Sequence, residues 1–491
     1  MPLNLPFPGN KQSTEQRPPR PLQLKQALQS VKSQIPLNQC VFLFATILLQ
    51  IWILFSLIHP SPSNPSSAHR HISANRQDCS SGKVYVYEIP RKFNYELVEN
   101  CKDLDPWKGT GCKVVANGGF GPPATGLWNL VPENLVPAWY WTDLYSAELI
   151  YHERMLNHKC RTMDPKEATG FYLPFYAGIA VGRYLFTEFN YTYQDRDRYC
   201  EMFLDWLEEQ PSYAEYRGAD HFIVLGRLTW DFRRLTDNSS DWGSSFLYMP
   251  RMKNVFRLGP EKHVKDRIEE SVPYPTGFHP RSESDIREWQ RHVRSQKRDS
   301  LFTFVGGKRQ IFKRDFRRLL MDYCSRDEAC RAVDCSAASC SEGSPAVFDA
   351  FLHSDFCLQP RGDGMARRSM FDCMISGAIP VYFWKGSFKD QYVWHLPWIS
   401  ETFSVYIDHD DVRKSNGTVI REVLEGVHRD NVRQMRETII ELIPRLVYGG
   451  RKEGLGTVGD AFDVTLDRVL KRLKARKSHL LSRAADDYEI F

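Results

Sequence analysis

A chain of 491 residues is about three times the ~150 residues of an ordinary domain, which predicts two domains plus accessory segments and excludes a single small module. Hydrophobic residues at 42% and charged residues at 25% are globular values, so disorder over most of the length is excluded. The 65 Lys and Arg against 60 Asp and Glu leave a net charge of +5, too little to point to a polyanion, and no zinc-finger, helix-turn-helix or RNP-like pattern occurs; nucleic acid is not an expected partner.

In chain order, residues 1–40 read as a cytosolic tail, with Lys11, Arg17, Arg20, Lys25 and Lys32 against the one acid Glu15. The next segment, VFLFATILLQIWILFSLI (41–58), is free of charge and covers about 27 Å as a helix, enough to cross a thin bilayer. The basic tail keeps the N-terminus in the cytosol and sends the rest into the lumen. A cleaved signal peptide is the alternative, but the n-region is long and HPSPSNPSS offers no small-x-small cleavage site. Residues 59–77, rich in Pro, Ser and Asn, read as a stem. Of the 12 cysteines all but Cys40 lie beyond the span, and none forms a CxxC pair, so disulfides in an oxidising lumen are expected. Eleven is odd, which leaves at least one thiol outside the intrachain pairs; the connectivity is not readable from sequence. Sequons at Asn190, Asn238 and Asn416 agree with a lumenal location.

Residues 78–290 carry apolar runs that read as buried strands, KVYVYEI (83–89), GFYLPFY (170–176) and HFIVLGR (221–227), with helical periodicity over 134–156 and 197–209. The charged stretch 280–300 marks a boundary. Residues 291–491 repeat the pattern with strands at LFTFVGG (301–307), DFCLQP (355–360) and AIPVYF (378–383), and helices over 313–322, 367–375, 422–442 and 461–473. Alternating strands and helices predict an α/β fold with largely parallel sheets, in two halves facing a cleft where strand C-termini meet.

In the first half, Tyr176, Trp230 and Phe232 are candidate stacking platforms for sugar rings. His221 and Asp231 are candidate bases for an acceptor hydroxyl, and Glu148 on the 134–156 helix is a third. A histidine that follows an aspartate in a strand also has a purely structural reading. In the second half, Gly306 and Gly307 lead into Lys308, Arg309 and Arg317, either a phosphate grip or a solubilising helix face. The stretch FCLQPRGDGMARRSMFDCMISGAIPVYF (356–383) reads as strand, turn, helix, strand. Gly362, Asp363 and Gly364 let main-chain N–H groups converge before a helix whose start carries Arg367 and Arg368, an anion cradle. The alternative is a surface arginine pair whose ion pairs contribute under ~1 kcal/mol. Asp372 either accepts ribose hydroxyls or pairs with Arg368 at i,i+4. Asp-x-Asp occurs at 103–105, 195–197 and 408–410 without an obvious preceding buried strand, so no metal site is expected.

The segments DCSSGKVYVYEIP, LPFYAG, DHFIVLGRLTWDFRRL, YPTGFHP, EWQ, FCLQPRGD, RRSMFD, GAIPVYF, QYVWHLP, DDVRK and LIPRLVY, in this order from about Cys79 to Leu470, resemble the motifs of the exostosin-like glycosyltransferase family 47 and, within it, the plant xyloglucan galactosyltransferase group. Cys324, Cys335, Cys340 and Cys357 fall where that group has cysteines. The resemblance implies a single-pass type II Golgi membrane enzyme with a lumenal catalytic part and a GT-B fold of two Rossmann-like domains. It implies inverting chemistry with no required metal or other cofactor, a UDP-galactose donor in the C-terminal half, and a xyloglucan acceptor that receives a β-linked galactosyl residue on its xylosyl side chains. A Golgi glycosyltransferase complex is a further implied partner. Carried over by position, Arg309, Arg317, Gly362, Asp363, Arg368 and Asp372 match donor-side residues, and Arg227, Trp230 and Asp231 match the acceptor-side motif. Where the group commonly reads Gly-Asp-Ser-x-Thr-Arg-Arg-Ser, this chain has Gly364 and Ala366, losing two hydroxyls worth about 1 kcal/mol each where they bond. The donor therefore stays open to UDP-galacturonic acid, for which Arg361 or Arg367 supplies a cation, and to a UDP-pentose. From a different class, a non-catalytic lumenal glycan-binding or scaffold protein is the alternative; a glycoside hydrolase, which needs two facing carboxylates and no anion cradle, fits least.

Overall fold

The computed structural model describes Gln50 and residues 79–104, 109–185, 191–308, 315–336, 340 and 344–488. The expected tail and stem, the span 41–58 apart from Gln50, Asn190 and Arg309 lie outside these residues. Among the described residues no helix is long and apolar enough to cross a membrane. The chain from Ala74 onward forms one compact unit.

Two parallel sheets organise it. The first orders β1 (Lys83–Val86), β2 (Arg161–Thr162), β3 (Ala168–Leu173), β4 (His221–Val224), β5 (Phe256–Gly259) and β6 (Glu269–Ser271) as β2-β1-β3-β4-β5-β6, every neighbouring pair parallel. The second orders β7 (Ser300–Gly306), β8 (Cys330–Asp334), β9 (Ser354–Gln359), β10 (Ile379–Tyr382) and β11 (Val405–Tyr406) as β11-β10-β9-β7-β8, again all parallel. Parallel neighbours need crossovers, which here are mostly helical. The longer helices are α1 (Ala147–Asn157), α2 (Tyr193–Glu208), α3 (Glu283–Ser295), α4 (Phe316–Cys324), α5 (Pro345–Leu352), α6 (Arg368–Ile375), α7 (Thr418–Glu425), α8 (Arg429–Leu442) and α9 (Ala461–Tyr488).

Local chemistry sets their ends. Thr192 and Asp195 form a reciprocal capping box at the start of α2, which buries Cys200, Phe203, Leu204 and Leu207 along one face. Ser282 caps α3 through the Asp285 N–H, and Ile286, Trp289 and Val293 point inward at helical spacing. The expected boundary at 290/291 falls inside α3, where the fully buried Trp289 donates its indole N–H to the Ile375 carbonyl at 2.9 Å. At the other end of the chain, α9 returns to the first sheet: Phe462, Leu466, Val469, Leu470 and Leu473 pack with Val84, Tyr172, Phe222 and Phe256. That helix, expected in the C-terminal half, completes the core of the first. A buried cluster locks it there, with Arg154 of α1 paired to Asp460 and 3.2 Å from Asp463.

Three expected helices change shape. The stretch 134–156 holds a 3-10 segment at Glu133–Ala138 and then α1, because Trp139 and Tyr140 are extended and bridge to Phe278 and Pro123. The stretch 422–442 divides into α7 and α8, with Gly426 ending the first. The stretch from 461 continues to Tyr488. Strands β2, β5, β6, β8 and β11 have no counterpart among the apolar runs. β5 and β6 bury Arg257, Glu269 and Glu270, whose charges are paired inside, with Arg257 bonded at 2.8 Å to Asp266. β8 is a half-buried edge.

The described cysteines pair as Cys79–Cys160, Cys101–Cys112, Cys324–Cys330, Cys335–Cys340 and Cys357–Cys373, with Cys200 a buried free thiol, which fits the odd count of eleven beyond residue 58.

Candidate active site

The C-terminal end of β9 leads through residues 360–367 into α6. Gln359, the last residue of β9, accepts the Ser369 hydroxyl at 2.7 Å, and the Cys357–Cys373 disulfide joins the same strand to the same helix, so the loop between them has fixed ends. Helix α6 has no acid in its first turn and no side-chain cap from Arg367. Its approach is instead occupied by a residue of the first half: Glu261, just beyond β5, accepts the Ala366 N–H at 3.3 Å, with the Met365 N–H also bonded to the same carboxylate. Burial raises the Glu261 pKa to about 7.

Arg368 reaches back across the molecule to donate to the Thr142 carbonyl, and its Nε lies 3.2 Å from the Asp372 carboxylate. Asp372 therefore has its i,i+4 partner in place; burial raises its pKa, opposed by the Arg368 charge. Arg361 and Asp363 are exposed at the rim, and the Arg361 guanidinium lies 5.6 Å over the Trp384 ring. Arg367 is half-buried, as is Arg317 on α4, while Lys308 pairs with Asp322 at 2.8 Å.

Facing this loop is the turn after β4. Gly226 is required there, since a Cβ would sit 2.4 Å from the Tyr145 carbonyl. Arg227 donates Nε to Asp231 at 2.9 Å and lays its guanidinium 4.2 Å over the Tyr145 ring. Trp242 donates its indole N–H to the other Asp231 oxygen at 2.7 Å and stacks on Trp230 with centroids 5.3 Å apart. The two indoles are 38% and 36% exposed, a solvent-facing aromatic surface beside a buried carboxylate. Burial raises the Asp231 pKa, and the charge of Asp363 from the opposite loop adds to the rise. Asp363 also acts on Tyr145, so the two loops share one electrostatic environment.

The exostosin GT47 domain matches residues 78–423. The chain belongs to the exostosin GT47 family. It is 50% identical over 401 residues to the xyloglucan galactosyltransferase XLT2 of Arabidopsis thaliana, covering 81% of this chain and 76% of that protein. It is 38% identical over 417 residues to the xyloglucan galactosyltransferase MUR3 of the same plant, covering 84% and 66%. To the xyloglucan-specific galacturonosyltransferase 1 of Arabidopsis thaliana it is 37% identical over 397 residues, covering 80% and 58%.

Among the remaining candidates of this GT47 chain, Glu148 bonds to the turn after β4 and the others sit elsewhere. His221 lies at the opposite, N-terminal end of β4, fully buried between Tyr87 at 2.9 Å and Asp220 at 2.8 Å and stacked on Phe171; burial lowers its pKa, and its duty is structural. Tyr176 is buried, its hydroxyl bonded to His152 at 2.8 Å, and Phe232 is in the core, so neither presents a ring to a sugar. Glu148 is 1% exposed and accepts the N–H groups of Gly178 at 2.6 Å and Gly226 at 2.9 Å. It ties together the turns after β3 and β4; burial pushes its pKa up to about 7. Among the described residues, Asp408, His409 and Asp410 form a group of three whose ligand atoms come within 4.8 Å of one another, and Asp408 serves there as an N-cap, accepting the Asp410 N–H at 2.9 Å. Asn238 and Asn416 are exposed and accessible to glycosylation.

Two residues of this site escaped sequence reasoning, Glu261 and Trp242. The first follows Gly259-Pro260 at a strand end, a position where an acid is well placed to meet an opposite half. The second sits in a polar loop with no periodic pattern, eleven positions after the carboxylate it contacts.

Proposed function

We propose that this chain is an inverting glycosyltransferase of GT-B type that moves galactose from UDP-galactose to xylosyl side chains of xyloglucan, held in the Golgi membrane by residues 41–58 with the remainder in the lumen. The observation that carries the reading is the 50% identity to a xyloglucan galactosyltransferase over 81% of the chain. The meeting of Asp231 and the 360–367 loop at the strand C-termini of two parallel sheets supports it. In the proposed single displacement, the Trp230–Trp242 surface stacks the acceptor sugar and Asp231 takes the proton of the attacking hydroxyl as its oxygen bonds to the anomeric carbon. The bond from that carbon to the UDP oxygen breaks. The leaving diphosphate is received by the amides of the cradle with Arg367, Arg368 and Arg317, and Arg309 is assigned to the same duty; no divalent cation is required. Asp372 orients Arg368, and Arg227 orients Asp231. Golgi glycosyltransferases of the same glycan are the proposed assembly partners.

A second donor, UDP-galacturonic acid, is favoured by one feature, the exposed Arg361 at the rim beside Asp363, which offers a cation to a uronate. The deciding experiment incubates the protein with xyloglucan and a panel of UDP-sugars, with and without EDTA, and sequences the product. The expected result is UDP release with UDP-galactose alone, a β-galactosyl product and insensitivity to EDTA. Release with UDP-galacturonic acid alone moves the assignment to that donor, loss of activity in EDTA overturns the metal-free displacement, and UDP binding without turnover leaves a non-catalytic glycan binder.

Trp242→Ala removes half of the aromatic surface and is expected to raise the KM for xyloglucan about tenfold while leaving the KM for the donor unchanged. Initial rates at varied acceptor check this; an unchanged acceptor KM places the xylosyl branch elsewhere.

A further inference from the structure

Glu261 is a first-half acid buried against second-half main chain, and the backbone on either side of it is clamped. The Tyr392 hydroxyl donates to the Pro260 carbonyl at 2.5 Å, and the Gln391 side-chain amide makes two bonds to the Lys262 backbone, at 2.9 and 2.8 Å. Only the side chain is left with rotational freedom. Its carboxylate reaches the 365–366 amides because residue 364 is glycine: a Cβ there would lie 2.0 Å from Glu261 Oε2 and 2.4 Å from its Cδ. Gly364 is outside the left-handed region, so this proximity, rather than the backbone conformation, is what a side chain at 364 would disturb.

The charges around the carboxylate do not hold it there. Asp231 from the turn after β4 and Glu269 from β6 both act on Glu261 with like charge. The neighbouring Lys262 is turned to Glu270 at 3.2 Å, and the buried Tyr274, on whose hydroxyl both Glu261 and Arg367 act, is a neutral phenol. What holds Glu261 in position is the pair of amide N–H groups at the entrance to α6, the same groups assigned above to the departing diphosphate.

We propose that Glu261 is a placeholder for the donor diphosphate: with no donor bound its carboxylate occupies the Met365 and Ala366 amides, and an incoming diphosphate displaces it by rotation of the side chain alone. Two anions do not share two amides. The inference rests on the reading of the 360–367 loop as a diphosphate site. It gives donor affinity a definite pH dependence. With a pKa raised to about 7, Glu261 is charged and competes above neutrality, and it protonates and yields the amides as the pH falls through that value.

The test is calorimetry with UDP on the full chain in detergent at pH 7.5 and pH 6.0, for wild type, Glu261→Gln, Gly364→Ala and the double variant. Glu261→Gln is expected to bind UDP about tenfold more tightly than wild type at pH 7.5, with the two converging at pH 6.0. Gly364→Ala, which expels the carboxylate, is expected to reproduce the gain, and the double variant to add nothing further. Equal or weaker binding by a folded Glu261→Gln overturns the placeholder role, because a carboxylate that merely braces the loop would make its removal loosen the site. If UDP binds to none of the four proteins, the diphosphate assignment fails and the placeholder with it. If UDP binds all four alike, the diphosphate assignment stands and the placeholder alone is lost.

Discussion

Arg154→Met is expected to destabilise the protein by about 3–5 kcal/mol, seen as a lowered urea midpoint at unchanged slope. Arg154 is buried on α1, with its guanidinium paired to the fully buried Asp460, 3.2 Å from Asp463, and 4.5 Å over the Phe462 ring. Methionine matches the length of the stem but leaves two carboxylates in the core without their cation. Asp460 keeps two main-chain partners, the Gly449 N–H at 2.7 Å and the Asp463 N–H at 3.0 Å, and its contact with the Asp463 side chain, none of them a cation. With Arg154 present, its charge holds Asp460 below the usual carboxylate range, while burial and the adjacent Asp460 push Asp463 up to about 7. Neutralising the acids in a triple variant, Arg154→Met with Asp460→Asn and Asp463→Asn, is expected to recover a large part of the loss, because the cost lies in the unpaired charge. A loss below about 1 kcal/mol for Arg154→Met would mean that water reaches the acids and that α9 is held by its apolar face alone.

The second large effect is on catalysis. Asp231→Asn is expected to lower kcat by about two to four orders of magnitude while UDP binding is retained. Asparagine keeps the shape and still offers an oxygen to the Trp242 indole, but it presents an N–H group to Arg227 and has no basic oxygen for the acceptor proton. The pH profile is a second readout. Burial raises the Asp231 pKa, and the residue must be deprotonated to act, so kcat/KM should rise with pH through that raised value and then level off. In the variant the rise attributable to Asp231 should vanish. Retention of a third or more of kcat would move the base to another group in the cleft.

The fold was legible where burial and apolar sequence coincide. Tyr172, Leu173, Ile223, Val224, Phe356 and Val381 are apolar and buried, and the runs containing them mark β3, β4, β9 and β10. It was not legible where burial is achieved by pairing charges. Phe256–Gly259 and Glu269–Ser271 lie in the same sheet, yet Arg257 and Glu269 disguise them, because their partners Asp266 and Arg233 come from outside the strands. Helix ends were legible from local chemistry, as at Thr192, but Trp139 and Tyr140 form extended bridges with distant partners that no local window contains. The site divides in the same way. The 360–368 loop announces itself by glycine and arginine spacing within one segment. The contact of Glu261 with Ala366 spans 105 positions of sequence, and that of Trp242 with Asp231 crosses an irregular loop. Asp231 is a candidate base in the sequence and lies at this turn, whereas the burial of His221 and Tyr176 depends in part on Tyr87 and His152, which come from other segments.

The return of α9 to the first sheet also orders events during biosynthesis. The face of that sheet formed by Val84, Tyr172 and Phe222 has its apolar cover supplied by Phe462, Leu466 and Leu470, which the ribosome makes long after the strands they cover. Folding one half at a time as the polypeptide emerges, the usual course for multidomain chains, is therefore closed to the first sheet. Its nascent form must wait, with greasy surface showing, until residues 461–473 have been translated, which makes the newly made chain a client for chaperones and a premature stop codon upstream of residue 461 ruinous to the half encoded first.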